Sequence, residues 1–121
     1  MWGISIAMKI SRGEIWQVNL DPTKGAEMKK DRPCLVVSVD TIGSLPLKAI
    51  VPITGWQPKF KTNPWHIKLD PDKRNGLTKA SSIDCLQIRC ISEDRFIWRY
   101  GQVDGEVLAD VIAGIGIVIG I

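Results

Sequence analysis

Nine polar residues stand at the ends of apolar runs in this sequence: Glu27, Arg32, Thr54, His66, Ser81, Ser82, Asp84, Gln87 and Arg89. They match no Gly-rich phosphate loop, no Ser/His/Asp signature and no paired-carboxylate spacing. Zinc is poorly served too, because the lone His66 does not complete a convincing set with Cys85 and Cys90. No cofactor or metal is expected. One reaction that needs neither is attack of an RNA 2′-hydroxyl on its neighbouring phosphate. That step requires a proton acceptor, a proton donor and stabilisation of an anionic transition state. Arginine suits the last task through its fork of donors and its permanent charge. A threonine hydroxyl can orient the 2′-hydroxyl or a phosphate oxygen, and a positioned acid or base contributes roughly 10²–10⁴-fold.

The elements that would hold these residues are short strands. Trp16, Val18 and Leu20 alternate with Gln17 and Asn19, the period of a half-buried strand over residues 13–20. Asp21-Pro22 and Gly25 stop it, and Pro33 opens a second, β-branched run over 33–39. Between them lie Lys24, Glu27, Lys29, Lys30, Asp31 and Arg32, more charge than a turn needs and a natural place for chemistry. Residues 40–46 form a connection with room for one helical turn. Further strands are expected at 47–54, with Pro52 marking an edge or bulge, at 65–69, at 81–90 and at 95–101. Residues 102–121 then hold a helix. Asp104 is a fair N-cap and Glu106 suits the positive end. Val107, Leu108, Val111, Ile112, Ile115 and Ile119 fall on one face. Gly114 and Gly116 are poor helix formers, so packing must hold it. About six strands and one late helix make a small, strongly curved, mainly β, barrel-like fold.

At 121 residues, 45% hydrophobic and 24% charged, the chain has the make-up of one soluble domain. The net charge of +3 is modest, but residues 1–79 hold 13 Lys/Arg against 7 Asp/Glu, whereas residues 80–121 hold 3 against 6. A basic front suits a polyanion on one side; a solvated surface of uneven sign is the plain alternative. Cys34, Cys85 and Cys90 are odd in number and set in apolar surroundings, which reads as buried free thiols in a reducing, cytoplasmic setting. The opening residues have no basic region and too short an apolar run for a signal peptide. Residues 1–7 read as a loose or mis-called start before a single domain at 8–121. No stretch reaches membrane-spanning length, because Asp104, Glu106 and Asp110 interrupt the last apolar segment.

Residues 55–64 interleave Trp56 and Phe60 with Lys59 and Lys61, a pattern that suits single-stranded nucleic acid: rings stack on bases and cations meet phosphates. Equally, the aromatics could fold back on the core. His66 titrates near neutrality, yet a lone histidine on an alternating strand is more often structural.

Taken in order, Gly13-Glu14-Ile15-Trp16, Leu20-Asp21-Pro22-Thr23-Lys24-Gly25-Ala26-Glu27, Arg32-Pro33 leading into Leu35-Val36-Val37-Ser38, and Val51-Pro52-Ile53-Thr54 resemble the MazF/PemK family of toxin endoribonucleases. The likeness continues through Gln87-Ile88-Arg89, Asp94-Arg95-Phe96 and the terminal helix. No single piece is specific; the ordered set is. The resemblance implies a small SH3-like β-barrel of the CcdB/MazF/PemK type, paired as a homodimer with single-stranded RNA crossing its groove. It implies metal-independent, sequence-specific cleavage of mRNA, leaving 2′,3′-cyclic phosphate and 5′-hydroxyl ends. It also implies a cognate antitoxin whose disordered acidic tail covers the basic groove, and operator DNA bound by the toxin–antitoxin complex.

By the same resemblance the catalytic arginine falls on Arg32, the catalytic threonine on Thr54 and a variable acidic residue on Glu27. Where some relatives carry an aspartate near the fifth strand, Leu86 stands here, with Asp84 two residues earlier. RNA contacts are expected from Lys24, Lys29, Lys30, Trp56, Lys59, Lys61, His66, Ser82 and Gln87. Each has an ordinary alternative: Arg32 could pair with Asp31 or Glu27 to order the loop, and Thr54 could satisfy a strand end. The competing function is a non-catalytic module of the same fold, binding nucleic acid or poisoning gyrase as the related CcdB toxins do.

Overall fold

The computed structural model describes residues 9–42 and 44–121, so the extension expected at 1–7 lies outside the described residues. The alternating runs form seven antiparallel strands: β1 (Glu14–Asn19), β2 (Asp31–Val36), β3 (Leu47–Gly55), β4 (His66–Leu69), β5 (Ser81–Asp84), β6 (Arg89–Ser92) and β7 (Phe96–Gln102). One helix, α1 (Gly105–Ile119), follows. The sheet runs β4-β5-β3-β2-β1-β7, with β6 also on β3. The sheet is barrel-like in its curl, and its path does not close.

Both faces of the middle strands are covered, which is why β2 reads as a continuous apolar run rather than an alternating one. Cys34 and Val36 face a cluster with Trp16, Val18, Ile50 and Phe96, where Trp16 and Phe96 meet edge to face at 5.8 Å. Leu35 and Val37 face the second cluster, with Val51, Ile83 and Val111 of α1. Asp104 caps α1 by accepting from Val107 N–H at 2.9 Å. Gly120, at φ 82°, closes its far end in the left-handed conformation. Gly114 is there for approach: a Cβ on it would stand 2.9 Å from Cys85 Sγ.

Five expectations change. The strand expected at 33–39 begins at Asp31, so Arg32 belongs to β2 itself, opposite Val18. The single strand expected at 81–90 is two strands separated by a 3₁₀ turn at Cys85–Gln87. Asp84 Oδ1 accepts from Leu86 N–H at 3.1 Å and starts that turn. The chain then moves from pairing with Ile53–Gly55 to pairing with Leu47–Ile50, along the same side of β3. Pro52 therefore sits within a central strand, opposite Cys34, at the break between these two pairings rather than at an edge. On α1, Ile112 and Ile119 are 40% and 61% exposed, because at about 100° per residue they fall roughly 80–100° away from buried Val111. Of the cysteines, Cys34 and Cys85 are buried but Cys90 is exposed.

Candidate functional site

The loop between β1 and β2 is held from outside by side chains of the C-terminal half. Gln87, thrown out of the sheet by the 3₁₀ turn, accepts from Met28 N–H at 2.9 Å and donates to the Ala26 carbonyl at 3.1 Å. Arg89 donates to the Leu20 carbonyl, and Arg95 to the carbonyls of Asn19 and Asp21. Glu27 serves the loop from within, its carboxylate accepting from Lys24 N–H at 2.6 Å. Lys30 takes a positive φ of 68°, and its own N–H donates to Asp21 Oδ1. Just before that kink the Lys29 carbonyl accepts from Arg32 Nε at 3.0 Å. The loop thus fixes the guanidinium by one nitrogen. Lys24, Lys29 and Lys30 point to solvent on the same loop.

Arg32 and Thr54 line one cleft of about 270 Å³. β2 carries the first and the end of β3 the second. Asp31, Pro33, Gly55, Lys79, Ser81 and Tyr100 are among the other lining residues. Neither Arg32 nor Lys79 pairs with a carboxylate among the described residues. A volume below the about 300–1,000 Å³ of whole-ligand sites suits one fragment of a longer polymer.

Tyr100 reaches the cleft through an irregularity. The β1–β7 register passes from Ile15↔Gly101 to Trp16↔Arg99, leaving Tyr100 as an extra residue, and slips again at Ile97. Bulges re-aim side chains in this way. Tyr100 O–H donates to Gln17 Oε1 at 2.8 Å, and its ring packs against exposed Trp98 at 4.0 Å. Burial pushes its phenol pKa up. Lys79 reaches the cleft through the Asn75-Gly76 turn. Asn75, 1% exposed, accepts from the N–H groups of Asp72 and Leu77 and donates to the Asp70 carbonyl. Gly76 has φ 70°, and a Cβ there would collide with the Tyr100 carbonyl.

A second group adjoins Thr54. Thr54 pairs with Ser82, and Ser82 with Lys68, so the three share a face across β3, β5 and β4. On that face His66 Nδ1 lies 2.8 Å from Ser82 Oγ, and Nε2 lies 3.9 Å from Asp84 Oδ1. Phe60, in the 3₁₀ turn at Pro58–Thr62, stacks on the imidazole, and Trp56 meets Phe60 edge to face at 5.9 Å. Lys59 and Lys68 lie over the faces of Phe60 and Trp56 at 5.8 and 5.3 Å. Burial lowers the His66 pKa, the Asp84 carboxylate works against that, and Lys59 adds to it.

The expected site residues therefore fall into three neighbouring groups. Arg32 and Thr54 meet in the cleft. Trp56, Lys59, His66 and Ser82 form the stack beside it, with Lys61 exposed on the same 3₁₀ turn. Glu27 and Gln87 belong to the loop, where both are engaged by backbone groups. Ser82 is fully buried and its hydroxyl lies 2.8 Å from His66 Nδ1, so the contact expected of it is not open at the surface. Lys79 and Tyr100 were absent from the expected set, and Asp31 and Phe60 were expected only as members of the charged loop and of the aromatic–lysine pattern at 55–64. Charge marked the turn that carries Lys79, but nothing in the sequence marked the bulge that turns Tyr100.

Three similarities bear on this arrangement. Endoribonuclease MazF9 of Mycobacterium tuberculosis is 33% identical over 110 residues, spanning 83% of this chain and 87% of that protein. MazF of Deinococcus radiodurans has the same fold, with TM-score 0.76 at 23% identity over 93% of this chain and 97% of that one. So has a mycobacterial endoribonuclease solved in complex with its cognate antitoxin, with TM-score 0.73 at 17% identity and the same coverage. Residues 11–119 match the family described as PemK-like, MazF-like toxins of type II toxin–antitoxin systems, and the chain belongs to that family.

Proposed function

We propose that this chain is a toxin endoribonuclease that cuts single-stranded mRNA at a short sequence, without a metal, by attack of the 2′-hydroxyl on the adjacent phosphate. The observation that carries the reading is the meeting of Arg32 and Thr54, from separate strands, in one cleft of fragment size. Relatives named endoribonuclease support it. In the step, the 2′-oxygen forms a bond to phosphorus and gives up its proton, while the P–O5′ bond breaks and the 5′-oxygen gains one. The products are a 2′,3′-cyclic phosphate and a 5′-hydroxyl. Arg32, held through Nε, offers its terminal nitrogens to the phosphoryl oxygens where charge accumulates. Thr54 orients the 2′-hydroxyl. Glu27 orders the basic loop, and the Trp56–Phe60–His66 stack receives a flanking base.

The same reading includes a cognate antitoxin, as in the solved complex of a mycobacterial relative, with operator DNA as a partner of the joint complex. It includes a homodimer, for which the exposed Ile112 and Ile119 offer apolar surface. It also includes a cytoplasmic site of action; no helix among the described residues is long and apolar enough to cross a membrane. The test is incubation of purified protein with a long RNA in EDTA, followed by mapping of the ends. Discrete fragments ending in cyclic phosphate are expected. RNA retained uncut, or cut only with added Mg²⁺, defeats the proposal, and DNA damage with mRNA left whole would favour gyrase poisoning.

A further inference from the structure

We propose that Lys79 is a second phosphate-binding cation of the cleft, acting with Arg32 on the phosphodiester that is cut; the inference rests on the ribonuclease reading above. The Lys79 ammonium lies over the backbone of Gly55, the residue after Thr54. A Cβ built on Gly55 would stand 3.8 Å from Nζ and 4.0 Å from Cε, ordinary contact distances that place the lysine tip beside Gly55, and both residues line the cleft.

The backbone that carries Lys79 is fixed on both sides of it. Ser81 pairs with Gly55, and its Oγ donates to the Lys79 carbonyl at 3.0 Å. Trp56 N–H donates to the Ala80 carbonyl at 3.1 Å. Before it, the Asn75-Gly76 turn is packed backbone to backbone against β7. Arg32 enters the same cleft from β2. Two cations that share a small cleft without a paired carboxylate repel each other, and an anion between them reverses the sign. Asp31 is the one acid among the lining residues, so the lining carries a net positive charge.

The ligand class is a phosphodiester of single-stranded RNA. It enters with one negative charge and gains a second as the 2′-oxygen bonds to phosphorus and before the P–O5′ bond has parted. Arg32 supplies a planar fork to two oxygens, and Lys79 supplies a compact charge on the side of Thr54. No proton moves to or from Lys79 in this scheme.

The test uses Lys79→Ala and Lys79→Arg in the full chain, with Lys79 exposed and outside both cores. Single-turnover cleavage of a mapped RNA is measured first. Binding of its all-2′-deoxy analogue, which cannot be cut, is then measured over a range of salt. Lys79→Ala is expected to slow cleavage about 10²-fold and to reduce the slope of log affinity against log salt by about 0.7. Lys79→Arg should restore the slope and most of the rate. A rate or a slope unchanged in Lys79→Ala overturns the assignment. Wild-type protein that binds but never cuts would sink the ribonuclease reading instead, and the salt slope would then decide alone whether Lys79 meets a phosphate.

Discussion

The imidazole of His66 lies flat against the ring of Phe60, with centroids 3.8 Å apart and 5° between the planes. Burial beneath that ring disfavours the imidazolium, Asp84 opposes this and Lys59 reinforces it, with the net direction down from the ordinary 6.5. The unfolded chain therefore takes up a proton at a higher pH than the folded one. The associated stability is present above about pH 6.5 and is lost as pH falls through the lowered folded-state value. Urea midpoints should drop from pH 7 toward pH 5, about where His titrates, and His66→Gln should flatten that part of the curve. Parallel curves for the two proteins would show that His66 is not the group responsible.

Arg32→Ala should abolish most cleavage while sparing the fold. The lost contact within the chain is one hydrogen bond to the Lys29 carbonyl, a cost of about 0.5–1.5 kcal/mol. The lost stabilisation of the transition state is about 10²–10³-fold in rate. Cleavage assays beside thermal melts read the two effects separately. A variant that cuts at the wild-type rate would remove Arg32 from the chemistry.

Gln87→Ala should loosen the basic loop without disturbing the sheet. Its amide makes two hydrogen bonds, to Ala26 and Met28, across a wide gap in sequence. Their loss costs about 1–3 kcal/mol, and the Met28 amide should exchange with solvent much faster while the β3 amides keep their protection. Equal protection of Met28 in both proteins would mean that Arg89 and Arg95 hold the loop by themselves.

Gly101→Ala should destabilise by about 3 kcal/mol or more, because its Cβ would collide with the Arg74 carbonyl, and backbone cannot yield as a side-chain tip does. The displaced segment carries Leu77 to Lys79, so activity should fall in the fraction that still folds. A melt within about 1 kcal/mol of wild type would show that the Asn75-Gly76 turn is not seated as described.

Thiol alkylation should mark one cysteine in the folded protein. Burial pushes the Cys34 and Cys85 thiols up to about 12, which leaves almost no thiolate at neutral pH. Cys90 is exposed. Mass spectrometry should find one adduct per chain under native conditions and three in denaturant. Modification of Cys34 without unfolding would contradict its packing between β1 and β3.

The succession of strands along the chain and the late helix with its Asp104 cap were legible in the sequence. They are set by local rules: alternation fixes a face, proline and glycine end a run, and an oxygen on Asp104 satisfies free N–H groups. The break inside 81–90 was missed: the apolar positions change phase between Ile83, Cys85 and Leu86, Ile88, where the turn lies, but the stretch stays apolar throughout and a single Asp84 bond folds it. The motif residues were visible, but several work at a distance that sequence does not measure: Gln87, Arg89 and Arg95 reach back to pin the end of β1 and its loop. The cleft itself belongs to tertiary structure alone. Arg32 and Thr54 meet because β2 and β3 pair side by side. Tyr100 joins them through a slip in the β1–β7 register, and Lys79 through a turn seated on β7. The slips at Tyr100 and Ile97 depend on how β7 packs against a segment distant in sequence, which the alternation within either strand does not reveal.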